Sequence, residues 1–179
     1  MAHFLFLSDF EQGHLFPTFG LAHSLIRRGH RVSYIGIPDM EPYVERQGLE
    51  LYPIYSDLYP AGASAQLRAE AQSGEAPSGV VQGRVFSQHL EPLIQGDLDE
   101  LMADLAPDLV ISSLFLPLET LIFHYRYQLP MAVFTQCLRA PDSAPGQLAV
   151  EEIFDLDHLS FQILELAMNQ GHEVRSRGA

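Results

Sequence analysis

The chain has 179 residues, with 23 acidic side chains against 10 basic ones and a net charge of -13. Every basic residue is an arginine, which excludes a Schiff-base or P-loop lysine. So acidic a chain is also a poor partner for nucleic acid, whose phosphates need basic contacts. With 47% hydrophobic and 18% charged residues, the composition is that of a globular protein. The length suits a single domain over 1–179.

The single cysteine, Cys137, has no internal disulfide partner and cannot build a cysteine-cluster metal site. The start, MAHFLFLSDF, lacks the basic n-region of a signal peptide. No window approaches the roughly 20 apolar residues of a membrane span. These features together lead us to expect a cytoplasmic protein without a membrane span.

In chain order, His3–Ser8 is an unbroken apolar run of the kind buried on both faces of a parallel sheet. Pro17 suits a first helical position, and the helix it opens carries Leu21, Leu25 and Ile26 at helical spacing. Arg27 and Arg28 in the last turn and Gly29 just beyond close it. Arg31–Ile37 reads as a second strand, the segment up to Gly48 as a short helix, and Leu49–Ile54 as a third strand. Residues 59–83, rich in Gly, Ala, Ser and Pro, read as a mobile loop with one helical turn. Arg84–Leu105 then reads as one long amphipathic helix, Pro107–Ser113 as a fourth strand, 117–128 as a helix and Pro130–Gln136 as a fifth strand. A helical tail is expected over about 148–170.

This alternation predicts an α/β protein with a Rossmann-like open parallel sheet and helices on both faces. The expected strand order is 3-2-1-4-5, with a switch point between strands 1 and 4, where such sheets bind ligands. The stretch LSDFEQGHLFPTFG leaves strand 1 at that point and places His14 there. The turn has only Gly13 where a dinucleotide fingerprint needs three glycines. No Walker motif, H-E-x-x-H metal spacing or G-x-S-x-G elbow is present, so neither a resident cofactor nor a metal is expected.

GHLFPTFGLAHSLIRRGHRVSYIG, followed by GLELYPI, PDLVISS and LPMAVF, resembles the amino-terminal half of GT-B glycosyltransferases of the UDP-glucuronosyl/macrolide type. The resemblance covers residues 3–54 and 84–140, and G-H-x-x-P is its strongest element. It implies an acceptor-binding domain of an inverting enzyme that moves a sugar from a nucleotide-sugar donor to a hydroxyl of a small apolar acceptor. His14 would be the base that deprotonates that hydroxyl. The donor would bind a second, carboxy-terminal domain with a motif of the H-x-G-x-x-T sort, which these 179 residues lack. On this reading the chain alone is inactive, and the surface meant for the missing domain favours self-association.

Similar enzymes end strand 4 with an aspartate that orients the histidine; here that position is Ser113. Asp9, at the end of strand 1, is the candidate substitute, or else an ordinary turn residue. For the acceptor wall the resemblance suggests Phe10, Phe16, Tyr59, Phe86, His89, Phe115, Leu116, Gln136 and Cys137, though the aromatic residues suit a core equally well. The alternative to an enzyme half is a stand-alone, non-catalytic module that binds a small molecule or complements a separate donor domain.

Overall fold

A computed structural model describes residues 1–73 and 88–135. Phe86, Gln136, Cys137, residues 74–83 of the expected loop and the expected tail lie outside the described residues. Five strands form one parallel sheet: β1 (His3–Leu7), β2 (Arg31–Gly36), β3 (Glu50–Pro53), β4 (Leu109–Ser113) and β5 (Met131–Phe134). Their order, β3-β2-β1-β4-β5, is the expected one, and every neighbouring pair is parallel. The helices are α1 (Gln12–Arg27), α2 (Glu41–Glu45), α3 (Ala63–Ser73), α4 (helical over 88–95), α5 (Asp99–Leu105) and α6 (Pro117–Tyr127).

The period of two in the central strands sorts their side chains onto two cores. Leu5, Leu7, Ile35 and Val110 pack with Leu93 of α4, Met102 and Leu105 of α5 and Phe123 of α6. Phe6, Val32, Tyr34 and Ile111 pack with Leu15, Phe19 and Ala22 of α1 and Val44 of α2. Both faces of the sheet are therefore covered, which is why β1 reads as continuously apolar. The strand's one polar member, His3, is buried and bonded through Nδ1 to Leu105 O (2.8 Å) and through Nε2 to Ser33 Oγ (2.9 Å).

Three local expectations are corrected. Helix α1 begins at Gln12, so Pro17 lies inside it rather than opening it. The buried stripe accordingly starts at Leu15 and runs through Thr18, Phe19 and Ala22, leaving Leu21 and Ile26 exposed. The helix ends as expected: Gly29, at φ +81°, donates its N–H to Ile26 O while His30 N–H reaches Leu25 O, the two bonds of a Schellman closure.

Residues 63–73 form an 11-residue helix, α3, where a loop with one turn was expected. The Asp39 carboxylate, from the turn after β2, accepts the N–H groups of Gly62 and Ser64 at the start of α3. Lastly, the expected long helix up to Leu105 is interrupted after residue 95. Gly96 takes φ +98°, and α5 starts anew at Asp99.

Candidate active site

The site grows from the way the chain leaves β1. Beyond Leu7, Asp9 accepts the N–H of Glu11 on Oδ1 (3.1 Å), an Asx turn that redirects the backbone into a helix. Glu11 O then accepts the N–H groups of His14 and Leu15, both at 2.9 Å, and the first turn of α1 is formed. His14 is the third residue of that helix.

His14 Nδ1 lies 2.7 Å from Asp9 Oδ1. A carboxylate only accepts, so the hydrogen of this bond belongs to Nδ1, and the basic lone pair of the imidazole lies on Nε2. Ser113, the last residue of β4, donates its hydroxyl to the other oxygen, Asp9 Oδ2, at 2.9 Å. The N–H of Phe115 in turn donates to Ser113 Oγ (3.3 Å). One carboxylate thus holds the chain exits of β1 and β4, the two neighbouring strands at the switch point of the sheet. The Phe115 ring stacks on the imidazole, with centroids 3.9 Å apart and planes 14° from parallel. The His14 side chain is 28% exposed and that of Asp9 14%, so the imidazole reaches solvent while the carboxylate is largely covered.

The other sequence candidates fall into separate groups. Phe10 is packed against the core on the α1 side of the sheet, and Leu116 against the core on the other side. Phe16 rests on Phe19 and Tyr43 and, with Arg46 and Gln47, borders a shallow hollow of about 150 Å³.

Tyr59 and His89 come together, the hydroxyl 3.4 Å from His89 Nδ1. Burial, with the nearby Glu119 charge, raises the Tyr59 hydroxyl above its ordinary value. His89 Nε2 also meets Glu119 Oε1 at 2.6 Å. Glu119 went unremarked in the sequence. Its signal is a carboxylate four residues before Phe123, on the buried stripe of α6. Among the described residues no group of three or more His, Cys, Asp or Glu side chains could share a metal ion. Nor is any of their helices long and apolar enough to cross a membrane.

No family model matches the sequence, and no curated protein matches it. Solved structures do. The calicheamicin glycosyltransferase CalG4 superposes with a TM-score of 0.62 at 23% identity, over 96% of this chain and 41% of its own. The glycotransferase of kitacinnamycin gives 0.57 at 22% identity, over 94% and 40%. SsfS6 of Streptomyces sp. SF2575 gives 0.55 at 20% identity, over 79% and 41%, and has also been solved with thymidine diphosphate. The chain therefore spans about two fifths of the length of these glycosyltransferases. At such identities the likeness establishes the fold: one Rossmann-like half of a GT-B architecture.

Proposed function

We propose that the chain is the acceptor-binding half of an inverting glycosyltransferase that acts on a hydroxyl of a small, largely apolar natural product. The observation that carries this reading is the Asp9–His14–Ser113 array at the switch point of a GT-B half fold. A hydroxyl is a weak nucleophile until its proton leaves, and a positioned imidazole accelerates such a step by about 10²–10⁴-fold. In the proposed reaction His14 Nε2 takes the acceptor O–H proton while that oxygen bonds to the anomeric carbon from the face opposite the leaving group. The bond from that carbon to the nucleotide breaks, and the nucleoside diphosphate departs with its electron pair. Asp9 keeps the ring in the required tautomer and offsets the charge of the imidazolium, and Ser113 fixes Asp9.

In this reading a second α/β domain would hold the nucleotide sugar; SsfS6, whose fold this chain shares in part, has been crystallised with thymidine diphosphate. The alternative of a non-catalytic binding module drew its support from Ser113 standing where an aspartate is usual. The Asp9 carboxylate, 2.7 Å from the imidazole, is what we take to stand in for that aspartate.

The deciding experiment supplies a glycosyltransferase donor domain in trans, with a nucleotide sugar and a panel of hydroxylated aromatic acceptors. Mass spectrometry reads the products. We expect transfer that needs both the donor domain and His14. Turnover by the 179-residue chain alone, or turnover undiminished in His14→Ala, would overturn the reading.

A further inference from the structure

Away from the Asp9–His14–Ser113 array, buried polar groups gather around His89. Its Nε2 shares the 2.6 Å bond with Glu119 Oε1, and the two side chains are only 12% and 5% exposed. The Tyr55 ring lies 5.8 Å from the imidazole and that of Tyr59 6.1 Å. Among the described residues, the second carboxylate oxygen, Glu119 Oε2, is buried without a hydrogen-bond partner, and so are the Tyr55 and Tyr127 hydroxyls. Burial, with Tyr127 and Glu119 among its neighbours, raises the Tyr55 hydroxyl far above its ordinary range, so it keeps its hydrogen.

Unpaired buried polar atoms are rare in folded proteins, and two bordering one His–Glu pair call for a common cause. A carboxylate oxygen can be satisfied only by a donor, whereas a tyrosine hydroxyl both donates and accepts. An alcohol or phenol answers both needs, giving its hydrogen to one atom and lone-pair density to the other. Glu119 is also tied to the chemistry through the chain. Phe115, stacked on His14, precedes it by four residues in the β4–α6 connection.

We propose that Glu119, held by His89, determines specificity by taking a second hydroxyl group of the acceptor, distinct from the one that receives the sugar. This rests on the glycosyl-transfer reading only in that the ligand is the acceptor. The site selects for a hydroxyl at the far end of an otherwise apolar molecule.

The test compares 2,6-dihydroxynaphthalene with 2-naphthol as probes for binding to the chain, followed by NMR titration. One hydrogen bond to a carboxylate predicts that the diol binds about tenfold more tightly. Glu119→Leu and Tyr55→Phe should each shrink that preference while leaving 2-naphthol affinity unchanged, and Tyr55→Phe carries the test should Glu119→Leu not fold. Equal affinities in the wild type, no binding of either probe, or a preference that survives both substitutions would overturn the proposal; an ordered water on Glu119 would give the first result. A Glu119-dependent preference without His14-dependent transfer would instead sink the glycosyl-transfer reading, so that the ligand is no longer an acceptor, while the hydroxyl site at Glu119 stands.

Discussion

Asp9 carries three bonds whose contributions separate by substitution. Its Oδ1 closes the Asx turn at Glu11 and also receives His14 Nδ1–H, while Oδ2 receives the Ser113 hydroxyl. Asp9→Asn retains an oxygen for the turn but loses the charge that stabilises an imidazolium. In an enzyme competent for transfer we expect it to lower kcat by about 10²-fold, with little change in acceptor affinity or in the unfolding midpoint. Ser113→Ala should cost only several-fold, because it removes one bond to the anchor and leaves the anchor's charge. Ser113→Asp should slow the reaction as well, since a second carboxylate would face Asp9 at the place where a hydroxyl now donates. A faster Ser113→Asp enzyme would show that Asp9 does not serve the histidine. His14 was legible because its surroundings form a motif, and Asp9 because it stands where strand 1 ends. Glu119 was not, because an acidic residue on a helix surface and one on its buried stripe look alike until the helix's inward face is known.

Among the elements, the strands were read to within one or two residues, because alternation and burial on two faces are local properties of the sequence. The starts of α1 and α3 were not. Pro17 suits a first turn in isolation, but the Asx turn at Asp9 nucleates α1 five residues earlier. Helix α3 was hidden by the Gly, Ala, Ser and Pro around it. Its alanines favour helix, and what tips the balance is Asp39, distant in sequence, at its start. Partial burial alone would raise the Asp39 carboxyl. The Ser64 hydroxyl, the N–H groups of Gly62 and Ser64 and the Arg68 charge outweigh that and hold it below the ordinary 3.8. A carboxyl lowered on folding stabilises fully above its unfolded value and loses that contribution as pH falls through the folded one. Amide protection in α3 should therefore weaken as pH drops below 3.8, and Asp39→Asn should flatten this dependence. At neutral pH, Asp39→Ala should destabilise by about 1 kcal/mol, as lost helix-start acceptors do, measured by urea unfolding. The ion pair from Arg68 of α3 to Glu11, just before α1, is half exposed on both sides and contributes little.

For the molecule as a whole, strand order followed from the alternation of elements and the right-handed crossover rule, which leave few topologies for five parallel strands. The surface that meets other molecules is a separate matter, set by two opposed features. Leu114 and Phe115 are 43% and 39% exposed at the end of β4, and Tyr125 and Val133 are 53% and 55% exposed on α6 and β5. Apolar groups of this size favour association. The net charge of -13 opposes it, because every copy repels every other. The repulsion reaches about 30 Å at 0.01 M salt and about 3 Å at 1 M, whereas apolar contact acts only at the surface. Self-association should thus be suppressed at low ionic strength and emerge as salt is added, seen as a rising weight-average mass in sedimentation equilibrium. A chain monomeric at both extremes would show that these side chains do not form an interface between copies. Association at low salt that dissolves on screening would assign the contact to the arginines instead. If the contact covers Phe115, acceptor binding and self-association should compete, so an acceptor that binds beside His14 should lower the mass at high salt.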